Sequence, residues 1–280
     1  MFTFPSPGGI RVHVRTWAPD GVPRAVVQIA HGMGEHSGRY APLADVLTAE
    51  GCAVYVGDHR GHGLTMHAGK GRLGDNGWNE LVADLARTTA IVERRHPGVP
   101  VVLLGHSLGS FAAQQYALDH SVRLDGLALF GTTALDHLAR TESGLGPQLL
   151  TAFNRSFQPS RTPADWLSRD PAAIDDYLAD PLCGFGLDTA GFNALAAAAP
   201  RLADPSQVRP DLPVAVFAGE ADPMSTGLLP ADLIAHRYRN AGLADVTHHS
   251  YPGARHDLLH ETNRDEVTAD LLTWLKRVTA

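Results

Sequence analysis

The feature that most constrains this chain is a serine-centred turn that directly follows an apolar run. Residues 100–104 read Pro-Val-Val-Leu-Leu, and residues 105–109 read Gly-His-Ser-Leu-Gly. The apolar run predicts a buried strand, and residues 111–118 contain no helix breaker and predict a helix. A strand, a sharp turn and a helix would leave the hydroxyl of Ser107 exposed at the end of the strand. The alternative is a tight strand–helix turn in which the serine is incidental.

Strands and helices are predicted to alternate along most of the 280 residues. Apolar runs predict strands at 10–17, 24–30, 52–56, 101–104, 124–130, 213–218 and 246–251. Helices are predicted at 39–50, 78–96, after Ser107, at 230–240 and at the carboxyl end up to about residue 278. Strands joined by helices indicate an α/β fold, with a mostly parallel central sheet and helices on both faces.

This alternation stops at Gly131, and no strong strand is predicted before about residue 210. The segment is rich in proline and glycine, with short helical pieces such as 172–179 and 192–199. A structureless loop of this length is uncommon in a compact domain. We therefore predict an inserted helical cap at 131–210, between the first part of the core at 1–130 and the second part at 211–280.

Charge and composition argue against several classes of protein. The formal net charge of −7 argues against a nucleic acid or an anionic membrane bound mainly by charge. No apolar run approaches the length of a membrane span, and residues 1–9 lack the features of a signal peptide. The two cysteines, Cys52 and Cys183, are too few for a disulfide framework, so we expect free thiols in the cytoplasm.

A serine hydroxyl needs a neighbouring base to act as a nucleophile, and the base needs an orienting acid. In sheets of this kind the acid and then the histidine follow the serine along the chain. Asp222 follows a predicted buried strand and is the candidate acid, with Glu220 as the alternative. His256 lies in the loop between the last strand and the last helix, which makes it the candidate base, with His260 as the alternative.

Donors for a negatively charged oxygen are expected from two backbone amides. One is the N–H of Leu108, the residue after the serine. The other is the N–H of Met33, in the sequence His-Gly-Met-Gly-Glu-His at 31–36, because glycines on both sides let the backbone turn into a cavity. A generic glycine turn is the alternative for this motif.

Three motifs together resemble a known family. His-Gly-Met-Gly-Glu-His-Ser-Gly-Arg-Tyr at 31–40, Asp-His-Arg-Gly-His-Gly at 58–63 and Gly-His-Ser-Leu-Gly at 105–109 are similar to the monoacylglycerol lipase/lysophospholipase branch of the α/β-hydrolase fold. The acid segment at 219–222 and the histidine segment at 253–256 match that branch as well, and the predicted cap matches it least.

The resemblance implies a serine hydrolase that acts on acyl esters or lipids without a cofactor or a metal. It implies catalytic Ser107, Asp222 and His256, with the amides of Met33 and Leu108 as the oxyanion hole. The alternatives are a thioesterase or a hydrolase of small polar esters or peptides, and, in a different class, a non-catalytic binding protein. The sequence leaves open the oligomeric state and a peripheral contact of the cap with a membrane.

Two departures from the branch concern the substrate. Gly131, Thr132 and Thr133 stand where Ser-Ala-Pro is common, near the expected acyl pocket. Thr65 stands where the branch has serine. The cap also carries charges that argue against an entirely apolar entrance: Arg140, Glu142, Arg155, Arg161, Asp165 and Arg169.

Other polar residues allow weaker interpretations. His59 and His62 have a spacing that metal ligands use, with His67 further on, but nothing completes a site, so we predict none. His106 is expected to pack and form hydrogen bonds rather than to act as a second base. Glu35 and Arg60 are expected either to pair beneath the oxyanion loop or to be solvated surface charges.

Overall fold

A computed structural model describes residues 1–140, 146, 148–225 and 229–280, with the side chain of Leu229 left out. Eight strands form one sheet. They are β1 Phe2–Ser6, β2 Ile10–Trp17, β3 Ala25–Ala30, β4 Cys52–Gly57, β5 Val101–His106, β6 Gly126–Phe130, β7 Val214–Gly219 and β8 Val246–Tyr251. Their order across the sheet is β1-β2-β4-β3-β5-β6-β7-β8.

The sheet is mostly parallel, as the sequence predicts. Strands β4, β3, β5, β6, β7 and β8 run parallel, and β1 and β2 pair antiparallel at one edge. The predicted half-exposed strand at 10–17 is confirmed as β2. Strand β1 was not predicted, and its Pro5 is tolerated because β1 is an edge strand.

Nine α-helices are present among the described residues. They are α1 Ala41–Ala49, α2 Gly77–Arg95, α3 Leu108–His120, α4 Leu135–Leu138, α5 Leu149–Phe153, α6 Pro171–Ala179, α7 Thr189–Leu202, α8 Leu229–Asn240 and α9 Arg264–Val278. The predicted helix at 39–50 begins later as α-helix, because Ser37–Tyr40 forms a 3₁₀ turn first. Helix α7 begins earlier than the predicted 192, since Asp188 caps it by accepting a hydrogen bond from the N–H of Gly191 at 2.8 Å.

Both faces of the sheet are covered by helices. Along β5, Val101 and Leu103 point into one apolar core, and Val102 and Leu104 point into the other, because successive strand side chains alternate. Helices α2, α3 and α8 pack on the first side, and α1 and α9 pack on the second. Nearly continuous burial on both faces explains why the parallel strands are apolar at almost every position.

The segment between β6 and β7 contains helices α4 to α7 and, in its described residues, no strand. Residues 141–145, which include Glu142, lie outside the part of the chain that the structure describes. The division at 1–130, 131–210 and 211–280 stays a prediction. Within the described residues, no helix combines the length and apolar character that a membrane crossing needs.

Candidate active site

Ser107 lies in the tight turn between β5 and α3. Its backbone has φ 53° and ψ −119°, a conformation that costs energy for any residue with a Cβ. A Cβ on Gly105 would lie 2.5 Å from the carbonyl oxygen of Gly109, and a Cβ on Gly109 would lie 2.0 Å from the backbone at the end of β3. Only glycine allows this close approach, and the strained turn holds the serine above the carboxyl end of the sheet.

Ser107, His256 and Asp222 form one hydrogen-bonded chain. The Nε2 atom of His256 lies 2.8 Å from Oγ of Ser107, and its Nδ1 lies 2.8 Å from Oδ2 of Asp222. Asp222 follows β7 and His256 follows β8, so parallel neighbouring strands bring the two loops together. The imidazole of His256 and the carboxylate of Asp222 are almost entirely buried.

The two alternative residues lie elsewhere. Glu220 is exposed, and the bond from its backbone N–H to the carbonyl oxygen of Tyr251 holds the strand end rather than the histidine. His260 hydrogen-bonds Asp257 through Nδ1 at 3.0 Å and the carbonyl oxygen of Arg39 through Nε2 at 3.1 Å. Neither of its ring nitrogens is directed at the serine.

The loop after β3 passes directly beside the serine. A Cβ on Gly32 would lie 3.2 Å from the Cβ of Ser107. Leu108 is the first residue of α3, so its N–H has no acceptor inside the helix. Among the hydrogen bonds of the described residues, none uses the N–H of Met33. Both amides therefore lack an acceptor among the hydrogen bonds of the described residues, and the loop that carries Met33 lies beside Ser107.

A buried carboxylate holds this loop in place. One oxygen of Glu35 accepts bonds from the N–H of Gly32, from the hydroxyl of Tyr40 at 2.8 Å and from Nδ1 of His106 at 3.1 Å. Its other oxygen accepts from Nε of Arg39 at 3.1 Å. The expected role of His106 in packing and hydrogen bonding agrees with this arrangement, since its ring lies between Glu35 and His256.

The pKa values of Glu35 and His106 shift in opposite directions. Burial alone would raise the pKa of Glu35, but the hydrogen bond and charge of His106, with the charge of Arg39, hold it well below its usual range. Burial alone would lower the pKa of His106, but the hydrogen bond and charge of Glu35 raise it above its usual value. Each group of this pair therefore favours the charged form of the other.

Both expectations for Glu35 and Arg60 were wrong, because each is buried and each has another partner. The guanidinium of Arg60 lies 2.8 Å from Oδ2 of Asp84 on α2, and it also contacts the hydroxyl of Ser6 on β1. Arg60 therefore fastens the amino-terminal hairpin to α2, and its hydrogen-bond partners do not include Glu35.

Three buried histidines, His31, His59 and His62, pack together below the oxyanion loop. Nε2 of His31 accepts a bond from the N–H of His59 at 2.9 Å, which requires that nitrogen to be unprotonated. Burial, with repulsion between the rings, lowers the pKa of His31 to about 3 and that of His59 well below its usual value. Burial also lowers the pKa of His62. The three histidines therefore pack against one another as neutral rings.

These neutral histidines predict a loss of stability in mild acid. The unfolded chain protonates histidine near pH 6.5, whereas the folded chain protonates these three residues only at lower pH. The unfolded state therefore binds more protons below pH 6.5, and the free energy of unfolding falls by about 1.4 kcal/mol per pH unit for each such histidine. Urea unfolding of His62→Gln at pH 7 and pH 5 should give a smaller difference than the wild type. The exposed His67→Gln is the control, and equal differences in all three proteins would contradict the prediction.

Gly131 leaves room for the imidazole of His256. Its φ is +50°, and a Cβ there would lie 3.1 Å from Cε1 and 3.2 Å from Nδ1 of His256. We expect Gly131→Ala to displace the ring and to lower kcat by about ten- to hundred-fold. Gly98→Ala is a matched control, because Gly98 has φ +76° with nothing within 4 Å of the added Cβ. It should lose stability and keep its kcat in an ester-hydrolysis assay, and equal kcat in both variants would refute the crowding argument.

A mostly apolar cavity opens beside Ser107. Its polar lining includes Glu35, His106, Tyr177 and Asp257. Its apolar lining includes Leu138, Leu149, Leu150, Phe153, Leu195 and Met224. The described charges of the predicted cap are not among its lining residues. Arg169, for example, turns away to Glu261 at 2.9 Å.

One group of three described side chains brings possible metal ligands within 4.8 Å of one another: His36, Asp180 and Cys183. Nδ1 of His36 accepts the N–H of Gly38 at 3.1 Å, so the ring proton lies on Nε2, which donates to Asp180 at 2.9 Å. Burial raises the pKa of the Cys183 thiol to about 12. A protonated nitrogen and a neutral thiol are poor ligands, so the group does not fit a resident metal.

Known proteins resemble this chain along almost its whole length. The family model described as "Serine aminopeptidase, S33" matches residues 21–263. Monoacylglycerol lipase of Mycolicibacterium smegmatis is 29% identical over 98% of this chain and 95% of its own. Monoglyceride lipase of Mus musculus is 30% identical over 89% of this chain and 84% of its own. The residues matched by the family model include Ser107, Asp222 and His256.

Solved structures of an esterase and a lipase are also similar to this chain. A thermostable carboxyl esterase from Bacillus coagulans, in complex with glycerol, has a TM-score of 0.88 at 27% identity and covers 100% of this chain and 98% of its own. A structure described as "Lipase (Open form)" has a TM-score of 0.85 at 30% identity, with 99% and 98% covered. The chain therefore belongs to the S33 serine aminopeptidase family of α/β hydrolases, in its monoacylglycerol lipase branch.

Proposed function

We propose that this chain is a serine hydrolase that cleaves carboxylic esters of glycerol, monoacylglycerols in particular, through an acyl-enzyme. The observation that carries the proposal is the hydrogen-bonded chain of Ser107, His256 and Asp222 at the base of a mostly apolar cavity. The names of the relatives point to the same substrate class.

The mechanism follows from the atoms in contact. Nε2 of His256 takes the hydroxyl proton of Ser107 as Oγ attacks the ester carbon. Asp222 orients the ring through Nδ1 and stabilises the imidazolium that forms. The amides of Met33 and Leu108 bind the oxyanion. His256 then gives its proton to the leaving alcohol, and afterwards it activates the water that hydrolyses the acyl-enzyme.

The lining of the cavity supports an apolar acyl group and a polar alcohol. The apolar side chains come largely from helices α4, α5 and α7, and they suit a hydrocarbon chain. The polar side chains belong to one hydrogen-bonded cluster, in which Arg39 joins Glu35 to Asp257 and lies over the ring of Tyr177. A glycerol moiety can exchange hydrogen bonds with such a cluster.

The same cluster argues against an aminopeptidase. An α-ammonium group needs a carboxylate that is free to receive it. Of the described residues that line the cavity, Glu35 and Asp257 are the carboxylates. Arg39 contacts both of them, and His106 and His260 occupy their remaining oxygens. Neither carboxylate is available to a second cation.

A substrate panel tests the proposal. We expect kcat/KM to be higher for a monoacylglycerol than for the acyl thioester of the same chain length or for an amino acid p-nitroanilide. The apolar cavity should also raise kcat/KM from short to medium acyl chains. Faster turnover of the thioester or of the anilide would replace the proposed substrate class with that one.

A further inference from the structure

The indole of Trp166 lies against the imidazole of His256. The two ring centroids are 4.9 Å apart, with the planes tilted by 38°. Trp166 is buried and lines the cavity, and the ring of Phe153 packs against it at 5.0 Å. An aromatic face therefore covers the residue that we propose as the general base.

The chain around Trp166 is fastened to the loop that carries His256. The N–H of Asp257 donates to the carbonyl oxygen of Leu167 at 2.7 Å. The guanidinium of Arg255 donates to the carbonyl oxygens of Asp165 and, at 3.0 Å, Ser168. We call residues 165–169 the strap. Bonds on both sides of Trp166 therefore tie its backbone to the loop that carries His256.

A buried carboxylate anchors the end of the strap. Glu261 is fully buried, and one of its oxygens accepts the N–H groups of Arg169 and Arg255, at 3.0 Å and 2.9 Å. Its other oxygen accepts from Nε of Arg169 at 2.9 Å. The strap is thereby part of the structure that positions the histidine loop.

The other groups that face His256 leave its ring face to Trp166. Ser107 and Asp222 occupy the two ring nitrogens. His106 lies 5.2 Å away between ring centroids, and its Nδ1 is engaged by Glu35 at 3.1 Å. The negative face of an aromatic ring attracts a cation, most strongly for tryptophan and where water is excluded.

We propose that Trp166 is a positioning residue for the reaction, which holds the ring of His256 and stabilises its imidazolium form. This inference rests on the proposed function, in which His256 becomes a cation only as Ser107 attacks. An interaction with that cation is stronger in the transition state than in the resting enzyme, so it accelerates the reaction.

Two substitutions of Trp166 distinguish an effect of its aromatic ring from an effect of its volume. With p-nitrophenyl acetate, whose acyl group is too small to need the apolar cavity, we expect Trp166→Leu to lower kcat/KM by about ten-fold. Trp166→Phe keeps an aromatic face and should stay within about three-fold of the wild type. The acidic limb of the kcat/KM profile should move to lower pH in the leucine variant alone. Wild-type rates in Trp166→Leu, or equal losses in both variants, would overturn the proposal.

Phe153→Leu is the matched control. Phe153 packs on Trp166, and no ring contact joins it to His256 among the described residues. This variant should change KM for long acyl chains and leave the acidic limb where it is in the wild type. Thermal unfolding of all three variants shows whether each is folded at the assay temperature, and a shifted limb in Phe153→Leu would assign the effect to general loosening.

Fluorescence tests the contact without ester cleavage. A protonated imidazole in contact with an indole quenches its emission, and the difference between the wild type and Trp166→Phe isolates Trp166 from Trp17, Trp78 and Trp274. We expect the emission of Trp166 to decrease as the pH is lowered. This pH dependence should be absent in His256→Asn. Emission that ignores pH, or that titrates unchanged in His256→Asn, would refute the contact. The proposed function fails separately, through residual activity of Ser107→Ala.

Discussion

Ser107→Ala is expected to lower kcat/KM for carboxylic esters by about a million-fold, to the level set by the oxyanion donors and binding alone. The reason is that, in the part of the chain that the structure describes, Nε2 of His256 has only the hydroxyl of Ser107 as a partner, at 2.8 Å. Initial rates of p-nitrophenyl butyrate hydrolysis measure the loss of kcat/KM. Labelling by a fluorophosphonate probe should disappear in the same variant.

The control for this result is Ser206→Ala, which replaces an exposed serine far from Ser107 in sequence. It should keep full activity and full labelling. A Ser107→Ala protein that still turned over the ester at the wild-type rate would remove Ser107 as the nucleophile. A wild-type protein that neither labels nor hydrolyses would favour the non-catalytic binding protein.

Asp222→Asn is expected to lower kcat by about ten-thousand-fold while the fold stays intact. An asparagine amide facing Nδ1 of His256 favours the tautomer with its proton on Nε2, which then cannot accept the proton of Ser107. The loss of the negative charge also removes the partner of the imidazolium. Steady-state kinetics with the same ester measure the effect, and circular dichroism checks the fold.

Glu220→Gln is the matched control for Asp222→Asn. Glu220 lies two residues away at the same strand end, but its side chain is exposed and does not reach His256. The variant should stay within about two-fold of the wild type, as most surface substitutions do. A large loss in Glu220→Gln together with a small one in Asp222→Asn would reverse the assignment of the acid.

The elements around the site could be predicted because they depend on local patterns. Strand β5 and helix α3 are defined by a continuous apolar run and a breaker-free segment on either side of the glycine-bounded Ser107. The loops of Asp222 and His256 each follow a strand of the parallel sheet. Parallel strands end at one edge, so the order of elements alone predicted that these side chains lie near one another.

The partners of buried charges could not be predicted in the same way. Glu35 and Arg60 belong to motifs that lie close together in sequence, which suggested a pair. Arg60 instead contacts Asp84 on α2, and Glu35 contacts His106, which is 71 residues away. The choice of partner depends on which elements pack on each side of a loop, and no local pattern records that.

The sequence alone determined the fold class, the order of the strands and helices, and the three residues proposed for the chemistry. Each of these follows from periodicity and turn residues within short stretches of chain. The tertiary structure alone decided the lining of the cavity, the network around Glu35 and the placement of Trp166 against His256. These depend on contacts between residues about 90 positions apart, such as the bond from Asp257 to Leu167, which form only when the helical segment packs on the sheet.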